Sequence, residues 1–408
     1  MSKELTKSRL AGADGLRAIA CLLVVWHHTA QKLNPEGVSP LVGALHFLGM
    51  RGEVGVSLFF VLSGCLLSVP FWASFVEGKA FPSIKRYATN RAARIAPAFW
   101  LNLIICSILG VTVFNLGFNW QKFSSAFLFI NSYNYSTFFP TELNGPLWSI
   151  GLEVSCYLLL PLVLYVIFKT AKSTAFAFAG LITTIVALQA LNPLIIQLFM
   201  TDNDQKGWQF GMDGGAKQWL PYWNIGSFFT QFLIGSLAAL VIVQLRSKQT
   251  AANRLFDLGF IASAFGAILL VVARLTPGAP DTFTQQPYVS PFFALFMAVA
   301  LVCGSHSVYV SRALDNRVFS WVAKLSFGIY LWHMVVIEII ARKFIGNYVY
   351  SGLHDVWQWV LISAIVLATS IAIAAASWWL LESPILRAVR GAKGISEQAI
   401  KARTSELS

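Results

Sequence analysis

An arginine and a histidine, Arg17 and His28, occur within one apolar stretch, DGLRAIACLLVVWHH, where a purely structural membrane span holds neither. They are eleven residues apart, and eleven helical steps of about 100° return to almost the same bearing, so both share one face, roughly 16 Å apart along it. Ionisable groups inside a bilayer are costly and usually face a polar cavity. A histidine so placed can take a proton from a hydroxyl, which makes His28 a candidate general base. A second constellation lies in NGPLWSIGLEVSCYLLLP, where Ser149, Glu153 and Tyr157 recur at intervals of four and share a face. Glu153 is expected about two turns below the outer surface, at a depth similar to that of His28, where it could orient the imidazole. The structural alternative is a hydrogen bond or ion pair between helices.

Four basic residues, Lys85, Arg86, Arg91 and Arg94, fall in KRYATNRAARIAP, read as the first large cytoplasmic loop. Arg91 and Arg94 are three apart, and guanidinium forks suit phosphate oxygens. The same run also serves as a plain topology signal. In FFVLSGCLLS, Ser63 and Gly64 sit mid-membrane, where small residues allow helices to approach closely. The stretch SFGIYLWH sets Tyr330 and His333 three apart, and WWLLESPILR ends a span at Glu382 and Pro384. His27 points about 100° away from His28 and reads as packing; His46, His306 and His354 receive no role.

The elements that must position these groups are membrane helices. A chain of 408 residues that is 56% hydrophobic and 12% charged, with mean hydropathy +0.64, has too little polar surface for a soluble globule. The expected fold is all-α and polytopic, with ten spans of a length to cross about 30 Å of hydrocarbon. They are placed near 15–33, 53–72, 97–117, 146–168, 174–198, 225–245, 256–274, 290–309, 322–343 and 357–381. The eighth is the weakest, being short and broken by Gly304 and His306. With the N-terminus inside, 21 of the 30 Lys and Arg residues fall in cytoplasmic segments, so both termini are expected in the cytoplasm. The net charge of +12 follows from this bias and from attraction to anionic membrane lipids. It does not argue for nucleic acid, because no soluble segment interleaves basic and aromatic residues.

The five cysteines, Cys21, Cys65, Cys106, Cys156 and Cys303, lie in apolar runs without metal-ligand or pairing spacing. No metal site is expected, and no cleaved signal peptide. One membrane domain is expected over 1–385, with a short basic cytoplasmic tail over 386–408. The segment 201–222, with Trp208 and Trp219, and the segment 118–145 are expected outside, the latter as a loop with an interfacial helix. No internal repeat is evident.

Taken in order, these segments resemble the acyltransferase-3 family of integral membrane acyltransferases, from about residue 11 to 387. The resemblance is carried by Asp14, Gly15, Arg17 and His28, by FFVLSG around Ser63, and by RAARIAP with Arg91, Arg94 and Pro97. It continues through LWSIGLE with Trp148 and Glu153, Tyr157 and Pro161, IYLWH with Tyr330 and His333, and Glu382 with Pro384. Phe327, where tyrosine is common, and Val154 to Cys156 depart from the pattern and bear on the acceptor. Some relatives carry a further soluble hydrolase-like domain, which is not expected here.

The resemblance implies transfer of an acyl group, most often acetyl, from cytoplasmic acyl-CoA to a hydroxyl of a cell-surface carbohydrate or glycolipid, in a multi-pass protein of the bacterial inner membrane. On that basis Arg86, Arg91 and Arg94, with Lys85, are expected to hold the coenzyme A phosphates. The pantetheine arm would then climb past Arg17 and bring the thioester to His28. His28 with Glu153 would deprotonate the acceptor, with a transient acyl-enzyme on His28 as a variant. Asp14, Ser63, Trp148, Tyr157, Tyr330 and His333 are expected to support the site. A transporter would also want ten spans and buried ionisable groups, but it should show inverted repeats or matched broken helices. A non-catalytic membrane sensor is the third class.

Overall fold

The computed structural model describes residues 10–200, 205–273 and 287–389. Among these residues the fold is all-α, and the one extended pairing is an isolated bridge between Leu33 and Leu353. Ten long helices carry it: α1 (Ala13–Ala30), α2 (Val54–Val76), α3 (Ile84–Val113), α4 (Trp148–Thr170), α5 (Thr174–Phe199), α6 (Ile225–Ser247), α7 (Arg254–Ala273), α8 (Phe292–Ser305), α9 (Arg317–Lys343) and α10 (Val356–Ser377). Each falls on one of the expected spans. Eight helical stretches are long and apolar enough to cross a membrane. The other two expected spans are α1, whose apolar run Asp14, Arg17, His27 and His28 interrupt, and α8, which has 14 residues. At about 1.5 Å per residue, α8 is too short to cross the hydrocarbon upright.

Starts are set by side chains that accept from otherwise unpaired amides. Ser83 caps α3, Ser173 caps α5, Asn224 caps α6, Asn316 caps α9 and Asp355 caps α10. The Ser83 cap corrects the reading of KRYATNRAARIAP as a loop. With a cap at 83 and the helix-forming Lys, Arg and Ala after it, the chain is already helical at Ile84, so the basic run forms the first turns of α3. Gly12 sits at φ 80°, a conformation that glycine adopts freely, and turns its amide onto Asp315 Oδ2 at 2.9 Å.

At the centre, α2 and α6 cross with their backbones in contact. A Cβ at Gly64 would lie 1.9 Å from the Phe232 carbonyl oxygen, and one at Gly235 would lie 2.0 Å from that of Val61. Ser57 donates to Gln231 at 2.5 Å, and the Trp72 indole donates to Ser236 across the same seam. These two helices are 72% and 78% buried over their apolar windows, against 11% for α5 and 22% for α7. The first pair therefore forms the core and the second pair presents apolar side chains outward, as a lipid-facing helix does. The five cysteines are free.

The segment after α3 contains a helix, Trp120–Phe127, and the chain before α6 folds into a short helix, Gly211–Trp219. The two segments converge on Trp148 of α4, which stacks on Trp223 at 4.5 Å and on Phe138 at 5.4 Å, while Trp219 stacks on Trp223 at 5.3 Å. Residues 201–204 lie outside the described residues, as do 390–408 of the expected tail. The helical run begun by α10 continues to Val389, past the expected start of that tail at 386.

Candidate active site

Helices α1, α2, α3, α4 and α9 enclose a cavity of about 530 Å³, which the end of α10 borders at its mouth. α1 contributes Asp14 and Arg17, α2 contributes Ser63, and α3 contributes Arg91 and Arg94. Three side chains at intervals of four, Ser149, Glu153 and Tyr157, come from α4, and Tyr330 comes from α9. The four-residue spacing read in α4 thus forms one wall. Lys85 and Arg86 do not reach the cavity; both are exposed on the first turn of α3. Trp148 is one residue off the α4 stripe and belongs to the aromatic cluster described above.

Polar groups in the cavity are held by one another. Glu153 accepts from Ser63 Oγ at 2.9 Å and from the Tyr157 hydroxyl at 2.5 Å. Ser63, adjacent to the glycine that lets α2 meet α6, therefore serves the site while Gly64 serves the packing. Tyr330 donates to the Pro146 carbonyl at 2.8 Å, and its oxygen is 2.6 Å from Ser149 Oγ. That pair closes the end of the cavity away from the basic side chains. Arg94 Nη1 is 2.9 Å from Glu382 Oε2.

His28 lies beyond Tyr330, outside the cavity lining, and its partner is His333 rather than Glu153. Among the described residues no hydrogen bond joins His28 to Glu153. His333 Nε2 is 3.1 Å from His28 Nδ1, and the two rings are 5.0 Å apart. The Tyr330 ring is 5.8 Å from that of His333. The partners set the tautomers. His333 Nδ1 faces the carbonyl oxygens of Tyr330 at 2.7 Å and Ile329 at 3.3 Å, so it carries the proton and Nε2 carries a lone pair. His28 Nδ1 faces that lone pair and the Val24 carbonyl at 3.0 Å, so it too is protonated. The free lone pair of the dyad is then Nε2 of His28. His333 is fully buried and His28 is partly exposed, so His28 is the member that a substrate can reach. His27 is turned away, with Nδ1 3.0 Å from the Met50 carbonyl.

Several lining residues escaped the sequence reading, among them Asn90, Ser320, Lys324 and Trp378. Lys324, counted there only as a topology charge, stands at the cavity edge with Trp378. A signal for it existed: Ser320, Lys324, Phe327 and Tyr330 form a helical stripe ending on a residue already singled out.

Against known proteins, the model of the acyltransferase-3 family, described as an acyltransferase domain, matches residues 10–379. The chain belongs to the acyltransferase-3 family. Among curated proteins it is 27% identical over 396 residues to "Putative peptidoglycan O-acetyltransferase YrhL" of Bacillus subtilis (strain 168), covering 92% of this chain and 55% of that one. It is 23% identical over 401 residues to O-acetyltransferase OatA of Staphylococcus aureus (strain NCTC 8325 / PS 47), covering 94% of this chain and 58% of that one. The chain thus spans little more than half the length of these curated relatives. No solved structure matches it. The family match covers all ten helices, so the histidine dyad and the cavity, apart from Leu386 and Val389 at its lining, lie within the acyltransferase-3 domain.

Proposed function

We propose that this chain is a membrane O-acyltransferase that moves an acyl group, in the first instance acetyl, from cytoplasmic acyl-CoA to a hydroxyl of a cell-surface or lipid-linked carbohydrate. The observation that carries the reading is the placement of a basic cavity and a histidine dyad on either side of Tyr330. Cations at one end suit the phosphates of a coenzyme A donor, and the narrow interior beside Arg17, Ser63 and Glu153 suits its polar pantetheine arm. The basic end belongs to the side expected to be cytoplasmic. The relatives' names, an O-acetyltransferase and a peptidoglycan O-acetyltransferase, favour acetyl as the group and a glycan as the acceptor.

In this mechanism the thioester comes to rest beside Tyr330 and within reach of His28. An acceptor hydroxyl gives its proton to His28 Nε2 as its oxygen attacks the acyl carbonyl. The tetrahedral intermediate collapses with loss of the coenzyme A thiolate, which takes the proton back from His28. The products are the O-acyl ester and free coenzyme A. His333 holds the His28 tautomer and shares the positive charge while it exists. Glu153, bonded to Ser63 and Tyr157, shapes the donor channel instead of touching the base.

Mass spectrometry of surface glycans and lipids, from cells carrying the intact chain or His28→Ala at matched membrane levels, tests the function. The proposal expects an acyl mass increment only with the intact chain. Identical profiles, together with no coenzyme A release by the purified protein, would end it.

A further inference from the structure

The mouth of the donor cavity is bounded by an irregularity in the last span. After Ser377, α10 runs into a single π-turn over Trp378–Glu382. A π-turn stacks residues five apart on one face, and such turns are frequent at functional sites. Ser377 Oγ accordingly reaches Glu382 Oε1 at 3.4 Å, a contact that regular α-helical phasing would swing away. Glu382 is only 2% exposed, and its second oxygen takes Arg94 Nη1. The Arg94 guanidinium lies 5.0 Å from the Trp378 ring centre and 5.8 Å from that of Phe327, and its Nη2 reaches the Lys324 carbonyl at 3.5 Å.

Arg94 is thus held from several sides, and its charge is cancelled by a carboxylate that water does not reach. A buried carboxylate stripped of its cation costs far more than the net worth of the pair. Lys324 differs. Its side chain is exposed at the mouth, it meets the Trp378 and Trp379 rings at 5.2 and 5.4 Å, and it has no ion-pair partner among the described residues. Arg91 lines the cavity one helical turn before Arg94, and it too has no ion pair among the described residues.

We propose that Arg94 is a positioning residue that clasps α3 to the π-turn through Glu382, while Arg91 and Lys324 hold the donor's phosphates, Lys324 taking the outermost 3′-phosphate. This rests on acyl-CoA being the donor. The two arginines of the Arg91-x-x-Arg94 pair therefore divide their work: one faces the ligand and the other keeps the wall in place.

The test measures affinity for acetyl-CoA and for 3′-dephospho-acetyl-CoA, together with thermal unfolding, on the purified full chain in detergent. Acetyl-CoA binding by the unaltered chain is the control, and its absence overturns the donor reading and this assignment with it. Arg94→Gln should lower the unfolding temperature and weaken both ligands alike. Arg94→Gln combined with Glu382→Gln should recover both properties, with the affinity ratio of the two ligands equal to that of the unaltered chain. Lys324→Gln should leave the unfolding temperature in place and reduce that ratio about tenfold, the worth of one charge-assisted contact. A double variant that is stable but still fails to bind acetyl-CoA would show Arg94 on the ligand and overturn the assignment. So would a Lys324→Gln chain with an unchanged ratio. If Arg94→Gln alone does not fold, the double variant and Lys324→Gln decide.

Discussion

Removing His333 should cost much less than removing His28, and the two losses should not add. His28→Ala deletes the proposed base, whose contribution is about 10²- to 10⁴-fold for a positioned proton acceptor. His333→Ala removes one hydrogen bond, from His28 Nδ1 to His333 Nε2 at 3.1 Å, but leaves the Val24 carbonyl at 3.0 Å to hold the same proton. The tautomer survives, and only the orientation of the ring and the sharing of its charge are lost. One such bond contributes about 1 kcal/mol, or roughly fivefold in rate. Groups that act as a unit are not additive, so the double variant should be as slow as His28→Ala alone. The assay is the initial rate of acetyl transfer in membranes matched for protein content. A His333→Ala rate as low as that of His28→Ala would refute the tautomer argument and make His333 a proton carrier in its own right. A double variant slower than His28→Ala would refute the dyad.

Other consequences are narrower. Gly64→Ala drives a Cβ into the Phe232 carbonyl oxygen and should destabilise the chain by about 1–3 kcal/mol, read as a lower unfolding temperature in detergent. Ser63→Ala, its neighbour, should leave that temperature nearly unchanged and slow acyl transfer, because it removes a donor to Glu153 without touching the α2–α6 seam. Lys85→Ala and Arg86→Ala should leave acetyl-CoA affinity within about twofold at physiological ionic strength, since exposed charges outside a cavity are largely screened.

Much of the fold was legible because a bilayer leaves few options. Apolar runs of about twenty residues must be helices, and the ten expected spans fall on α1 to α10. The start of α3 was missed because hydropathy marks where a helix meets lipid, not where it begins; Ser83 and ten polar or small residues carry the helix on outside the apolar run. Within the site, what one helix determines was readable: Ser149, Glu153 and Tyr157 share a wall because their spacing is four. Contacts between helices were not. His28 meets His333 because α1 packs on α9, which no spacing within either stretch encodes. The Glu382 contact with Arg94 joins two helices, and the local mark of the π-turn is Pro384, which lacks the amide that would bond the Leu380 carbonyl but does not say which partner Glu382 meets. Lys324 was hidden in plain view, since a lysine at the end of a span satisfies topology and gives no hint that its side chain also edges a cavity.

The central claim is that a donor bound on the basic side gives its acyl group to an acceptor reached from the opposite side. The most direct measurement supplies acetyl-CoA labelled in the acetyl group to sealed membrane vesicles of defined orientation, with the intact chain or His28→Ala. The account predicts labelled glycan or glycolipid only when acetyl-CoA is added on the face that carries Arg91 and Lys324, and only with His28 present. Equal labelling from either face, or labelling that survives His28→Ala, would contradict it.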